Sequence, residues 1–477
     1  MLLESPKVAL PSANALDKAA LELERALGPS KATRDRDACA TYASDESEAI
    51  GKSPDILVIA ASPGDVVKTL AIAESCGIPV TPRAGGTGRT GGAVPVAGGI
   101  LLATHALAQV KEIDRENLIA VVEPGVVTGQ LHELVEKEGL FYPPDPNSLA
   151  SCMIGGNLAE NAGGPRAFKY GVTREYVLGV ETCLMGGRVI RSGKRTVKGV
   201  TGYDVTALLV GSEGTLGVFT EATLRLVPKP REIATVLALF DETRRAASAV
   251  SAIIAAGMVP RCLEMMDAAT LGAIRSQGVA VDPRARAMLL IESDGDQAAV
   301  EDSLQKIGDL LSAHEGLVDL VAAQDASQRA RLWEARRMLS RATRKIAKFK
   351  LSEDVVVPRS RIVELLDRVD VIGKKENVQH LTYGHAGDGN LHVNFLWNDD
   401  EERARVDRAI EGLMRATIDL GGTLSGEHGI GIAKIPYLHF EQSDALIDLQ
   451  RDLKSVFDPK ELLNPGKIFP ARGHSAC

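Results

Sequence analysis

The chain has 477 residues, 45% hydrophobic and 25% charged, a length that calls for two or three domains and the composition of a soluble globular protein. A formal net charge of -8 and 4% aromatic residues supply neither the basic excess that neutralises phosphates nor the rings that stack on bases, which excludes a nucleic-acid partner. Six cysteines (Cys39, Cys76, Cys152, Cys183, Cys262, Cys477) stand singly. They exclude a zinc ribbon or an intrinsic iron–sulfur cluster of ordinary spacing and fit a reducing, cytoplasmic setting. Residues 1–16 lack the pattern of a signal peptide, and no stretch reaches the ~18 apolar residues of a membrane span, while peripheral docking to a membrane complex stays open.

Taken in order, residues 14–28 read as an amphipathic helix and 29–54 as a connection. Ile56-Leu57-Val58-Ile59-Ala60 is a buried strand. Ser62 caps a helix with Pro63 in its first turn, ending at Gly77, and strand 78–81 completes a β-α-β unit. The glycine-rich loop 82–95 follows: Pro82-Arg83-Ala84-Gly85-Gly86-Thr87-Gly88-Arg89-Thr90-Gly91-Gly92-Ala93-Val94-Pro95. Glycines in succession let backbone N–H groups converge on an anion, and Arg83 and Arg89 add charge suited to a pyrophosphate. Residues 86–91 match G-x-G-x-x-G, but Pro95 would break the helix that the dinucleotide motif must open, so that match is a decoy.

Strand 118–122 leads to a helix capped by Thr128 and ending at Gly139, then to a stiff segment, Pro143-Pro144-Asp145-Pro146. Residues 154–165 read as a second glycine-rich loop, and 176–184 and 216–227 as strands flanking Thr201-Gly202-Tyr203-Asp204 and Gly211-Ser212-Glu213-Gly214-Thr215-Leu216-Gly217. A domain boundary is expected at 228–231. Beyond it come strand 234–240, helix 243–256, strand 287–291, helix 297–313, a charged helix 326–348, strand 354–357, helix 359–370, strands 379–383 and 391–396, and helices 401–419 and 443–457, closing with the turn Asn464-Pro465-Gly466-Lys467.

Four polar, glycine-rich loops before residue 227 suit an extended ligand with two phosphates and two ring systems better than a small metabolite. Ser151, Asn157 and Asn161 offer hydrogen bonds to a flavin-like ring edge; a plainer reading is a set of ordinary turns. The second half holds the reactive groups. The two-residue period places His392 and Asn394 on one face of a strand. His385 would point the opposite way on an unbroken strand, but Gly387 and Gly389 let the chain turn so that both imidazoles meet. With Glu427 they make a two-histidine, one-carboxylate set for zinc, iron or manganese, and His428 stands beside it. Arg336 and Lys350 are candidate anion anchors or solvated charges.

In order along the chain, the loop 82–95, Val122-Glu123-Pro124-Gly125, Pro143-Pro144-Asp145-Pro146-Asn147, Ile154-Gly155-Gly156-Asn157 and the stretches at 201–204 and 211–217 resemble the FAD domain of the vanillyl-alcohol-oxidase/p-cresol-methylhydroxylase superfamily. Tyr383-Gly384-His385-Ala386-Gly387-Asp388-Gly389-Asn390-Leu391-His392 and Ser425-Gly426-Glu427-His428-Gly429 resemble its D-2-hydroxyacid dehydrogenase branch, and the likeness covers about 50–470. It implies an α+β protein: a helical segment 1–53, a two-subdomain FAD-binding domain 54–227, an α+β cap 228–430 with an antiparallel sheet, and a helical segment 431–477 returning to the FAD domain. It implies noncovalent FAD held by Pro82, Arg83, Ala84, Gly85, Gly86, Thr87, Gly88, Thr90, Gly91, Pro143, Asp145, Ser151, Gly155, Gly156, Asn157, Asn161, Gly163, Glu213, Gly214, Gly217, Val218 and Asn464. His385, His392 and Glu427 would bind a divalent metal, zinc being the expected one. His428 would be the base, Arg336 the carboxylate anchor, Lys350 a second anchor and Asn394 a further catalytic group. Arg89 departs from the family, which commonly has an apolar residue there. The expected reaction is oxidation of a D-2-hydroxy acid of the lactate, glycolate or 2-hydroxyglutarate class. Electrons would pass to an external quinone, cytochrome, electron-transfer flavoprotein or iron–sulfur subunit, and a homodimer is compatible. The alternatives are a flavin subunit active only in a complex and a metal-dependent hydrolase.

Overall fold

The structure, a computed structural model, describes residues 10–47 and 51–470; Cys477 and most of the segment inspected for a leader, residues 1–9, lie outside the described residues. The chain divides into two units. The first comprises Leu2–Gly163, Val172–Lys229 and Glu427–Cys477, and the second Gly164–Gly171 and Pro230–Gly426.

In the first unit, helix Ala13–Leu27 starts at Ser12, whose Oγ accepts from Ala15 N, and buries Leu16, Ala19 and Leu23. The segment 29–54, read as a bare connection, contains strand β1 (Ala32–Thr33) and helix Arg36–Ala40. Strands β2 (Ile56–Ile59), β3 (Val80–Arg83) and β4 (Ile100–Ala103) complete a sheet of order β1-β2-β4-β3. Helix Pro63–Cys76 begins and ends as its caps predict: Ser62 Oγ accepts from Asp65 N at 3.2 Å, and Gly77 turns left-handed at φ 66°.

The expected β-α-β neighbours are separated, because β4 pairs in parallel with both β2 and β3. Its sequence, Ile100-Leu101-Leu102-Ala103, is buried throughout, and only a central position covers both faces of such a strand. The last part of the chain closes the other edge of β3: Val80 N donates to Leu462 O at 2.8 Å and Asn464 N to Val80 O at 2.7 Å.

Seven further strands follow: β5 (Val110–Asp114), β6 (Ile119–Val122), β7 (Leu140–Phe141), β8 (Val177–Cys183), β9 (Val189–Gly193), β10 (Val218–Arg225) and β11 (Val227–Pro228). β7 pairs with β11, and the other five form an antiparallel sheet of order β5-β6-β10-β8-β9. Two local expectations change. Thr128 is not the cap of its helix but lies inside Thr128–Lys137, its Oγ1 turned to Cys152 O at 3.4 Å. The glycine-rich stretch at 154–165 opens as a helix, Ile154–Glu160, stopped by Asn161 in the left-handed region at φ 53°. Its glycine is there for contact: a Cβ on Gly155 would lie 2.6 Å from Pro124 Cβ.

The second unit is built on a seven-stranded antiparallel sheet. Its strands are β12 (Glu232–Phe240), β13 (Cys262–Met266), β14 (Ala287–Gly295), β15 (Leu317–Ala322), β16 (Phe349–Val356), β17 (Gln379–His385) and β18 (Asn390–Trp397), in the order β15-β12-β14-β13-β17-β18-β16. One face packs Leu237, Leu239, Met266, Met288, Leu290, Leu381 and Leu396 against Leu271 and Ile274 of helix Ala268–Arg275 and Leu339 and Ala342 of helix Ala326–Arg344. The charged helix thus ends before residue 348, and β16 starts earlier than its apolar run indicates.

Candidate functional site

Cross-strand register decides what the sheet of the second unit presents. His385 pairs with Asn390 and Tyr383 with His392 across the β17–β18 hairpin, so the two histidines, on opposite arms, share a face. Their ring centroids lie 5.3 Å apart, edge to face, and both are buried. On the same face, Asp354 of β16 stands opposite His392 and Ser352 opposite Asn394, while Glu264 of β13 stands opposite His385. Asn394 Nδ2 donates to His392 O at 2.9 Å, and its buried Oδ1 has no hydrogen-bond partner among the described residues. Lys350 shares the face by two-residue spacing, but its Nζ is turned to Thr343 Oγ1 at 3.4 Å.

Each histidine is backed by a fully buried carboxylate. Glu264 Oε1 meets His385 Nδ1 in a short contact, and Glu264 Oε2 accepts from Arg336 Nε at 2.6 Å. Burial pushes the Glu264 pKa up, but the imidazole and guanidinium outweigh it and hold the carboxyl well below the usual range. Arg336 arrives from helix Ala326–Arg344, 7% exposed, its guanidinium 5.0 Å from the centre of the Tyr383 ring. Asp354 Oδ1 lies 3.9 Å from His392 Nδ1 and accepts from Asn390 Nδ2 at 2.6 Å. Its Oδ2 accepts from Ser425 Oγ at 3.1 Å and from Gly426 N at 2.9 Å, anchoring the chain one residue before Glu427. These two backing carboxylates, Glu264 and Asp354, escaped the sequence reading. The two-residue period of β13 and β16 against the histidine hairpin is the signal that could have found them. One imidazole oriented by a carboxylate and a second with a carboxylate 3.9 Å away make a buried two-histidine pair, so the residues present fit a divalent cation.

In the first unit, Pro82 to Gly88 are half-buried, Arg89 is exposed and Thr90 to Gly92 are buried. Among the described residues, no loop or turn carbonyl accepts from a backbone amide between Ala84 and Gly92. The amides of a glycine-rich, partly buried loop can receive an anion, so the residues present fit the diphosphate of FAD. A Cβ on Gly156 would meet only Ala84 Cβ, at 4.0 Å, which leaves open space above the loop.

Other predicted cofactor residues are occupied within the fold. Asn157 Nδ2 donates to Thr128 Oγ1 at 2.6 Å, and Asn161 Oδ1 accepts from Arg174 N at 2.8 Å. Ser151 Oγ donates to Ser148 O at 3.2 Å, Pro143 is buried and Asp145 half-buried. Close packing accounts for Gly214, whose Cβ would lie 2.8 Å from Pro82 Cγ, and for Gly217, whose Cβ would collide with Thr182; Val218 is buried at the start of β10. A Cβ on Gly163 would stand 3.0 Å from Glu427 Oε2. Asn464 Nδ2 donates to Gly92 O at 3.1 Å and to Glu213 O at 2.8 Å, tying the glycine loop to the Glu213 turn. Arg83 donates to Ser44 O at 2.6 Å with its guanidinium folded against Gly86, where a Cβ would collide with Nη2.

A buried charge cluster lies behind this loop. Glu213 accepts from Ile430 N at 2.8 Å and Gly431 N at 2.7 Å, and Lys467 Nζ donates to Val94 O at 2.7 Å. Burial, followed by the Glu213 charge, pushes Glu160 well above the carboxylate range. Burial pulls Lys467 down to about 7 against the opposing pull of Asp45 and Glu213. The unfolded chain therefore binds a proton at Lys467 that the folded chain does not, between about pH 7 and 10.5, and this group's contribution to stability rises with pH across that window. Compared with Lys467→Met in denaturant titrations, the wild type should gain on the order of 4 kcal/mol from pH 7 to 10.5. A difference that is flat with pH would refute the assignment.

Two family models match the chain in succession. The family model described as "FAD linked oxidases, C-terminal domain" matches residues 229–468, and an "FAD binding domain" model matches 54–193. The chain is 41% identical over 431 residues to the glycolate oxidase subunit GlcD of Bacillus subtilis, covering 90% of this chain and 92% of that one. It is 38% identical to a D-lactate dehydrogenase of Archaeoglobus fulgidus, covering 85% and 89%. The solved structure of p-cresol methylhydroxylase with substrate bound superposes with a TM-score of 0.81 at 17% identity over 96% of this chain and 98% of that one, a likeness of fold.

Proposed function

The chain belongs to the FAD-linked oxidases and is an FAD-dependent oxidoreductase, and from that premise we propose that it oxidises a small D-2-hydroxy acid to the 2-keto acid. The observation that carries this reading is the buried sheet face on which Arg336 and His385 share Glu264, next to His392. A carboxylate anchor and a metal-binding pair side by side suit a substrate bearing a carboxylate and an adjacent hydroxyl. Relatives named for glycolate and D-lactate support the same substrate class.

In this reading His385, His392 and Glu427 hold the metal, and the loop 82–92 holds the FAD diphosphate. When bound, the metal supplies a Lewis acid for the hydroxyl and FAD supplies the two-electron acceptor. Arg336, oriented by Glu264, pairs with the substrate carboxylate. His428 takes the hydroxyl proton while the α-hydrogen leaves with its bonding pair, so that the acid loses two electrons and two hydrogens. Asn394 Oδ1 offers an acceptor on the same sheet face. Among the described residues no helix is long and apolar enough to cross a membrane.

The test is anaerobic mixing of the holoenzyme with D-lactate, L-lactate, glycolate and D-2-hydroxyglutarate while following the oxidised flavin band. Bleaching by a D-acid or glycolate and not by L-lactate is the expected result. A flavin that none of them bleaches would overturn the substrate class. The word "subunit" in the names of glycolate oxidase relatives favours a second reading, a flavoprotein that turns over only with its partner chains. Normal flavin bleaching without steady-state turnover by the isolated chain would support it.

A further inference from the structure

We infer that Glu213 is a positioning residue for His428, acting through the backbone that follows the imidazole; the inference rests on the reading of His428 as the base. Glu213 lies in the Gly-Ser-Glu-Gly stretch that the sequence assigns to cofactor binding, yet both its carboxylate oxygens are turned to protein. One accepts from Ile430 N and the other from Gly431 N, at 2.8 and 2.7 Å. Glu213 is 7% exposed and adopts φ 51°, a left-handed conformation that is strained for a non-glycine residue. Such strain persists only where the surroundings over-determine it.

The same short loop is fastened from two other directions. Thr90 Oγ1 donates to His428 O at 3.0 Å, the amides of Ile432 and Ala433 both donate to Thr90 O, and Ile468 N donates to Gly431 O at 2.9 Å. Gly429, at φ 76°, can carry no side chain: a Cβ there would run into Glu160 Oε2 and stand 2.9 Å from Glu213 Oε1. The backbone that follows the His428 side chain is therefore set by the glycine loop, by Glu213 and by the C-terminal turn. Each of the two adjacent N–H groups takes a separate oxygen of the Glu213 carboxylate. A carboxylate satisfies both, whereas the amide of glutamine offers one oxygen and a donor that would face the second N–H.

The experiment is a double-mutant cycle on the holoenzyme, reading flavin reduction by whichever of D-lactate, glycolate and D-2-hydroxyglutarate bleaches it fastest. Glu213→Gln is expected to retain FAD and to lower the melting temperature by no more than about a few degrees, to slow reduction at saturating acid by about 10- to 100-fold, and to leave KM within about two-fold. In a His428→Ala background the same substitution should change the residual rate by less than about two-fold, because the group being positioned is gone. Equal losses in both backgrounds would overturn the positioning role. A His428→Ala protein that reduces its flavin at the wild-type rate, or a flavin bleached by none of the acids, would overturn the underlying reading. If Glu213→Gln fails to hold FAD, Thr90→Val supplies the same cycle by removing the hydroxyl from His428 O. Thr90→Ser is expected to restore the rate, and a Thr90→Val loss that is unchanged in the His428→Ala background would refute the inference.

Discussion

His428→Ala is expected to slow flavin reduction by about 10²- to 10⁴-fold with FAD still bound, the loss typical of a general base. Its carbonyl is held by Thr90, and the next residues by Glu213, so removing the imidazole leaves the loop's backbone bonds in place. The expected signature is a fall in the rate at saturating acid with little change in KM. FAD content by absorbance and reduction by stopped flow check both halves. A variant that loses FAD together with its rate would show that the loop serves the cofactor, and a near-normal rate would remove His428 from the chemistry.

Glu264→Ala is expected to damage both the anchor and the fold. The change removes the acceptor that orients Arg336 and the group that meets His385, and leaves a buried guanidinium without its counter-charge. Breaking one partner of a buried pair costs roughly 3–5 kcal/mol, because the remaining charge is uncompensated. The second unit should melt earlier, and KM for the acid should rise as Arg336 loses its direction. Glu264→Gln keeps the volume and one hydrogen bond, so it should fold better than Glu264→Ala while still raising KM. Equal stability of Glu264→Ala and the wild type in denaturant titration would show that the pair contributes nothing to the fold.

The sequence displayed the elements that carry their own punctuation. Ser62, Pro63 and Gly77 bracket one helix with standard caps, and the alternation in Leu391-His392-Val393-Asn394 marks a strand face. It concealed elements whose position is a tertiary matter. β4 is a four-residue apolar run, and nothing local says that it wedges between β2 and β3. Helix Ile154–Glu160 contains two glycines that disfavour a helix, one of which, Gly155, is required by its close approach to Pro124. The same holds for the site. His385 and His392 stood out because they lie in or beside a glycine-flanked loop, whereas Arg336 was one of many charges on its helix and was singled out by resemblance. Glu264 and Asp354 lie within strands and become partners only through register, Glu264 of His385 across 121 residues and Asp354 of Asn390 across 36. Asn157 and Asn161 were legible as polar groups in a glycine stretch, but their hydrogen bonds to Thr128 and Arg174 depend on the fold of the whole unit.

The pairing of β3 with residues 462–464 bears on how the protein is made. A ribosome releases Val80 almost 400 residues before the segment that covers its outer edge, so the first unit spends most of translation with an open strand. The second unit, apart from the early segment Gly164–Gly171, is contiguous over Pro230–Gly426 and can be completed on the nascent chain first. Closure of so distant a pair is slow and leaves an unpaired edge exposed meanwhile. Chaperone dependence, and sensitivity to truncation at Leu462, should therefore be properties of the N-terminal sheet, although the residues removed lie at the opposite end of the gene product.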